Sequence, residues 1–228
     1  MRAGFIGLGA MGHSMAGHIA DRGLLAVVGN RTAAKAADFA AARASSAVQA
    51  AASFADYACC DVVALCVSAG ADVLENVDGL AAHLAPGAIV IDHSTVSVET
   101  AREAVKRLAA RGIGFLDAPV SGGVEGAKNG RLSIMVGGDE ATLERAGPVL
   151  EAYGARIALM GPTGAGQATK AVNQILVAGI NEAVCEGLAF AEKLGLDAER
   201  LLPTLMAGAA SNWFLDKRGA TMLRDEFK

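Results

Sequence analysis

The stretch Ala3-Gly4-Phe5-Ile6-Gly7-Leu8-Gly9-Ala10-Met11-Gly12 constrains this chain more than any other. A short apolar run passes straight into Gly7-x-Gly9-x-x-Gly12, and a helical apolar pattern through Met15, Ala16 and Ile19 follows. Strand, glycine turn and helix in that order make the first half of a βαβ unit, because a parallel neighbour needs a crossover to return. As a bare string the motif is weak, since glycine is abundant here. Its position between strand and helix gives it meaning: glycines allow a tight turn and let a pyrophosphate approach amides at a helix N-terminus. Gly7, Leu8, Gly9, Ala10, Met11 and Gly12 are therefore expected to bind a dinucleotide.

The alternation continues. Apolar runs at 24–28, 62–67, 88–91 and 114–116 are bounded mostly by Gly, Pro or Asp, and helical patterns follow them. The clearest helix runs from Val98 through Ala101, Val105 and Leu108, with Ser97 as N-cap and Gly112 as stop. Two further strands are expected at 133–136 and 156–159, around a helix starting near Asp139. After Gly161-Pro162 the strands cease. The fold class is α/β: a Rossmann-like, doubly wound, mostly parallel sheet over 1–161, followed by an all-α domain over 162–228. The Ala-rich stretch 33–52 approaches low complexity without becoming a repeat.

Composition narrows the function classes. Hydrophobic residues make up 53% of the 228 and aromatics 4%, as in tightly packed α/β enzymes, and the net charge of -4 offers no basic surface for nucleic acid. Apolar stretches look short and interrupted by Asp61, Asp92 or Lys170, so no membrane span is expected. The start leads directly into a strand, so no signal peptide is expected. Cys59, Cys60, Cys66 and Cys185 lack metal spacing and read as reduced core thiols of a cytoplasmic protein. His13, His18, His83 and His93 form no metal motif, and no metal site is expected.

At the end of the second strand an NAD site would carry a carboxylate for the ribose hydroxyl. This chain has Gly29-Asn30-Arg31-Thr32 instead. Asn30, Arg31 and Thr32, with Lys35 one helical turn on, suit a 2'-phosphate, so NADP(H) is preferred and NAD(H) possible. The alternative is an ordinary turn, with Thr32 starting a helix and Arg31 in solvent. Further on, Asp117-Ala118-Pro119-Val120-Ser121-Gly122-Gly123 places Ser121, Gly122 and Gly123 in an exposed turn at a strand's carboxyl end. There backbone amides and a hydroxyl can clamp a substrate carboxylate. Nucleophilic catalysis by Ser121 is not expected, for no histidine follows it and no elbow motif surrounds it.

Lys170 heads a long apolar helix pattern through Val172, Ile175, Leu176, Val177, Ile180, Val184 and Leu188, which should be largely buried. Lys170, Gln174 and Asn181 line one stripe of it, with Asn173 beside them. By itself the segment leaves two readings open, a snorkelling lysine and a catalytic one.

The motifs at 4–12, Asp92-His93-Ser94-Thr95-Val96-Ser97, the 117–123 stretch, and Gly164-Ala165-Gly166 leading to Lys170 and Asn173 come in the order seen in β-hydroxyacid dehydrogenases. The chain resembles that family throughout its length. The family includes 3-hydroxyisobutyrate dehydrogenase, tartronate semialdehyde reductase and, more distantly, 6-phosphogluconate dehydrogenase. The resemblance implies Lys170 as catalytic acid/base, Asn173 as its supporting amide and Ser121, Gly122 and Gly123 as carboxylate clamp. It also implies Thr95 on the nicotinamide half of the cofactor, with Val67 and Ser68 on the loop beside it. Gln174 stands where many members carry a second Asn, and it, with Trp213, is expected near the substrate. The implied reaction is hydride transfer between NADP(H) and a small 3-hydroxy acid or its semialdehyde, in a homodimer or homotetramer. The rivals are a non-catalytic NADP-binding module or sensor and an imine reductase, although imine reductases usually carry a different residue at the lysine position. Family members continue for several helices past a segment like Met222-Leu223-Arg224-Asp225-Glu226-Phe227, so a chain ending at Lys228 is expected either to be a truncated product or to have the missing helices supplied otherwise. An exposed apolar face, favouring dimerisation or aggregation, should follow.

Overall fold

The computed structural model describes residues 1–43 and 47–226. Part of the Ala-rich stretch, and Phe227 and Lys228 of the terminal segment, lie outside the described residues. The chain divides into two compact units, Met1–Lys170 and Ala171–Lys228. The last strand ends at Gly161, and the division falls further on, inside a helix.

The first unit is built on β1 (Ala3–Ile6), β2 (Leu25–Gly29), β3 (Gln49–Ala50), β4 (Val62–Leu65), β5 (Ile89–Asp92) and β6 (Gly114–Asp117), all parallel. β7 (Val120–Ser121) and β8 (Leu132–Gly137) run antiparallel to each other, and β9 (Gly154–Gly161) pairs parallel with β8. The order β3-β2-β1-β4-β5-β6-β8-β7 reverses direction at β1, and a crevice opens there at the carboxyl ends of β1 and β4. Successive side chains of a strand point to opposite faces. Phe5 accordingly joins Met15, Ile19 and Ile91 in one apolar cluster, while Ile6 joins Val63, Val77 and Leu108 in the other. Burial of both faces explains why these strands read as continuous apolar runs.

The crossover helices are α1 (Gly12–Asp21), α2 (Ala33–Ala41), α3 (Gly70–Ala81) and α4 (Val98–Ala109); the short α5 (Gly123–Lys128) joins the antiparallel β7 and β8, and α6 (Glu140–Leu150) crosses over between the parallel β8 and β9. Ser97 caps α4 by accepting from the Thr100 amide at 3.1 Å, and Gly112 takes φ +67 just beyond it. Asp139 caps α6 through the Thr142 amide at 2.9 Å. The run expected at 62–67 stops as strand at Leu65, because Val67 N leaves the ladder and donates to Ser94 Oγ at 3.0 Å.

α7 (Ala165–Lys193) is a single helix of 29 residues. Two expectations are corrected on it. By length and composition it could cross a membrane, so not every apolar stretch is short. Nor is its apolar face largely buried: Val172 is 59% exposed and Ile175 74%. The cause lies in the second unit, where, among the described residues, only α8 (Ala198–Met206) and α9 (Trp213–Leu223) accompany it. They cover Val184 and Leu188 with Leu215, Leu201 and Leu205, and two short helices cannot surround a long one. Cys185 on this helix is exposed, so it is not a core thiol; Cys60 is buried.

Candidate cofactor and substrate site

The glycine loop closes β1 as a turn that tolerates no side chain. Gly7 sits at φ +102, where a Cβ would run into the Cys66 carbonyl oxygen. Its amide donates to Gly29 O at 2.9 Å, and Leu8 N donates to Asn30 Oδ1 at 2.9 Å. α1 begins without a side-chain cap and without an acid in its first turn, so its positive end is left for an anion. Beside it lies a cavity of about 420 Å³ lined by Gly7, Gly9, Asn30, Arg31, Thr32, Lys35, Val67 and Ser68. Leu8, Ala10, Met11, Gly12 and Thr95 stand outside that lining. A dinucleotide fits this donor set: uncapped helix amides suit a pyrophosphate, and the Arg31 and Lys35 cations line the same cavity.

Three details qualify the expected 2'-phosphate set. Asn30 is a brace of the loop, since its Nδ2 also donates to Thr32 O at 3.1 Å. Thr32 precedes α2 and makes no side-chain cap bond. Arg31 is paired: its Nη1 lies 3.6 Å from Asp72 Oδ1. Asp72 and Glu75, from α3, line the same cavity. Sequence reasoning looked for a carboxylate only at the end of β2 and missed both; the signal was their place just after Val67-Ser68, at the head of the next crossover helix.

A buried polar network ties together the loops at the ends of β5 and β6. Neighbouring strands bring Asp92 opposite Asp117. Asp92 accepts from Ser94 N at 2.9 Å, its Oδ2 has no partner among the described residues, and burial pushes its pKa up to about 7. His93 lies between Ala118 O and the Tyr153 hydroxyl, 2.7 Å from each. Burial drives its pKa down to about 4, so it is neutral, with Nδ1–H donating to Ala118 and Nε2 accepting from Tyr153.

Asp117 anchors the head of α7. Its Oδ1 accepts from Gly164 N at 2.7 Å and its Oδ2 from Gln167 N at 2.9 Å. Gly166 must be glycine for this approach, because a Cβ there would strike the carbonyl oxygens of Asp117 and Met135. Gln167, 2% exposed, spans the loop around Thr95: Nε2 donates to Ser94 O at 2.8 Å and Oε1 accepts from Val96 N at 3.1 Å. All these residues belong to the unit Met1–Lys170. The Gly164-x-Gly166-Gln167 string carried the signal, but nothing in it named Asp117 as the partner.

Lys170 follows Gln167 by one helical turn and is half-buried, and that burial lowers its pKa from the ordinary lysine value. In the second unit Asn173 is half-buried and donates to Gln174 Oε1 at 3.1 Å, while Gln174 itself is exposed. Asn173, Val177 and Asn181 share the less exposed stripe that leads to buried Val184 and Leu188. Trp213 opens α9, 51% exposed, with its ring edge-on to Phe214 and under the Arg218 guanidinium. Ser121 ends β7 half-buried, and Gly122 and Gly123 follow with φ of +128 and +61, starting α5. Thr95 is exposed.

Residues 2–161 match the family model for the NAD binding domain of 6-phosphogluconate dehydrogenase, and residues 164–228 match the model described as NAD-binding of NADP-dependent 3-hydroxyisobutyrate dehydrogenase. The chain belongs to the β-hydroxyacid dehydrogenase family. It is 40% identical to an uncharacterized oxidoreductase of Shewanella frigidimarina, over 99% of this chain and 78% of that protein. It is 39% identical to 2-hydroxy-3-oxopropionate reductase of Escherichia coli, over 100% of this chain and 77% of the relative. The solved structure of Mycobacterium tuberculosis 3-hydroxyisobutyrate dehydrogenase with L-serine superposes with a TM-score of 0.86 at 33% identity, covering 100% of this chain and 80% of that one. As a member of this family the chain is an oxidoreductase with an NAD(P)-binding Rossmann domain.

Proposed function

We propose that the chain interconverts a small 3-hydroxy acid and its semialdehyde, with NADP(H) preferred over NAD(H) and Lys170 as general acid/base. When bound, the nicotinamide supplies or accepts the hydride. Lys170 gives a proton to the carbonyl oxygen as it becomes a hydroxyl, or withdraws that proton in the oxidative direction. The observation that carries this reading is the setting of Lys170: a half-buried ammonium with a depressed pKa, one turn from a glutamine that grips the loop of Thr95. Desolvation moves a lysine toward the range in which it exchanges protons near neutrality. Asn173 is assigned to align the lysine or the carbonyl, with Gln174 and Trp213 bordering the substrate.

Ser121, Gly122 and Gly123 would hold the substrate carboxylate, and the amides of Gly122 and Gly123, both at positive φ, suit an anion. Arg31 and Lys35 would meet the 2'-phosphate, a reading supported by the family description naming an NADP-dependent enzyme. The relative named for 2-hydroxy-3-oxopropionate reduction favours a semialdehyde of that size. Exposed Val172, Ile175 and Leu176 on α7 favour a homodimer or homotetramer, and a cytoplasmic location accords with this chemistry. The test is NADPH and NADH oxidation over a panel of small semialdehydes, with Lys170→Ala beside the wild type. Lys170→Ala should abolish turnover and leave the NADPH dissociation constant within about twofold. Substantial residual turnover refutes the lysine assignment, and tight NADPH binding by the wild type without turnover of any substrate favours the non-catalytic module.

A further inference from the structure

The dinucleotide cavity carries a second sign of charge. Arg31 and Lys35 contribute two cations, Asp72 and Glu75 two carboxylates, so its formal charge cancels. A site built only to attract a 2'-phosphate would keep acids away, since each like charge opposes entry of the dianion. The ion pair sharpens the point. Arg31 Nη1 lies 3.6 Å from Asp72 Oδ1, with the arginine side chain 85% exposed and the aspartate 27%. The acid is thus partly set into the wall, and the arginine is the partner with freedom to leave.

We propose that Asp72 is a specificity-determining residue of the cofactor site: it competes with the 2'-phosphate for Arg31 and narrows the discrimination between NADP(H) and NAD(H). The proposal rests on the reading of Arg31 as the 2'-phosphate ligand. To bind NADP(H), the guanidinium must exchange one carboxylate partner for a phosphate, so only the difference between the two interactions favours binding. NAD(H) presents a neutral ribose hydroxyl there and requires no exchange. The cavity lining carries no carboxylate from the end of β2; its carboxylates, Asp72 and Glu75, come from α3. Because the pair is exposed, salt screens it, and the influence of Asp72 should shrink as ionic strength rises.

Dissociation constants of the 228-residue chain for NADPH and NADH, read from nicotinamide fluorescence, test this without turnover. In Asp72→Asn and Asp72→Ser the ratio of the NADH to the NADPH constant should rise about fivefold, the upper strength of an exposed ion pair. Asp78→Asn makes the same charge change on the same helix, but Asp78 pairs with Arg107 at 2.8 Å outside the cavity, and the ratio should stay put. In an Arg31→Ala background the gain from Asp72→Asn should vanish. A ratio unchanged within about twofold in both Asp72 variants, or a gain that persists in full without Arg31, overturns the proposal. Arg31→Ala by itself separates the two layers: if it leaves NADPH affinity intact, the 2'-phosphate reading falls, whereas a loss of NADPH affinity with inert Asp72 variants sinks only the inference about Asp72.

Discussion

Asp117→Ala probes how the head of α7 is held to the sheet. In the native protein the two carboxylate oxygens take the Gly164 and Gln167 amides at 2.7 and 2.9 Å, in a buried setting. Truncation leaves both donors without an acceptor, at about 1–3 kcal/mol each. Part of this is offset, because burial, the largest cause, raises the Asp117 pKa, and truncation removes the desolvation cost of the buried carboxylate. The net loss should be about 3 kcal/mol, or about 6–12 °C in Tm for a unit of this size. Asp117→Asn keeps one acceptor oxygen and turns an amide NH2 toward the other donor, so it should lose about half as much. Urea unfolding at pH 7, followed by circular dichroism, reads both. A loss below about 1 kcal/mol for Asp117→Ala, or equal losses for the two variants, would refute the anchoring argument.

Gly7→Ala should weaken NADPH binding more than tenfold and cost about 1–3 kcal/mol of stability, because the new Cβ meets the Cys66 carbonyl at a positive φ; a wild-type titration curve would contradict this. Asp92 and His93 titrate against each other. The raised pKa of Asp92 gives stability that is present below about 4 and lost as pH climbs toward about 7, whereas the lowered pKa of His93 gives stability present above about 6.5 and lost as pH falls toward about 4. The two slopes oppose each other in one window. Asp92→Asn should therefore expose acid destabilisation between pH 6.5 and 4 in urea midpoints, and a pH profile parallel to wild type would show that Asp92 is ionised throughout.

The cofactor end of the site was legible in the sequence because its residues are local: Gly7 to Gly12 follow a strand that alternates into a helix, and Arg31 stands at the next strand's end. Asp72 was not legible. It reaches the cavity only because β4 pairs beside β1, which brings the head of α3 next to the head of α2. Gln167 and Asp117 are a second case of the same kind. Each lies inside a string that the sequence reading had singled out, but their bonds join strand end to helix head across a wide sequence separation, and no periodicity reports such a partner.

α7 shows a different limit. Its apolar residues occur on most of its circumference, so the 3.6-residue period located a helix without fixing which face turns inward. The expectation that the apolar run is largely buried fails over its first half: Asn173 and Asn181 are half-buried, while Ile175, Leu176 and the polar Gln174 are exposed. A helix that shelters amides and a lysine while presenting isoleucine and leucine to water gains little from hydrophobic burial along that stretch. Its geometry must therefore be imposed at its ends, by Asp117 and Gln167 at the head and by Leu215 against Val184 and Leu188 further along. Loss of the anchor at the head should accordingly disturb Lys170, one turn from Gln167, more than it disturbs the cofactor cavity.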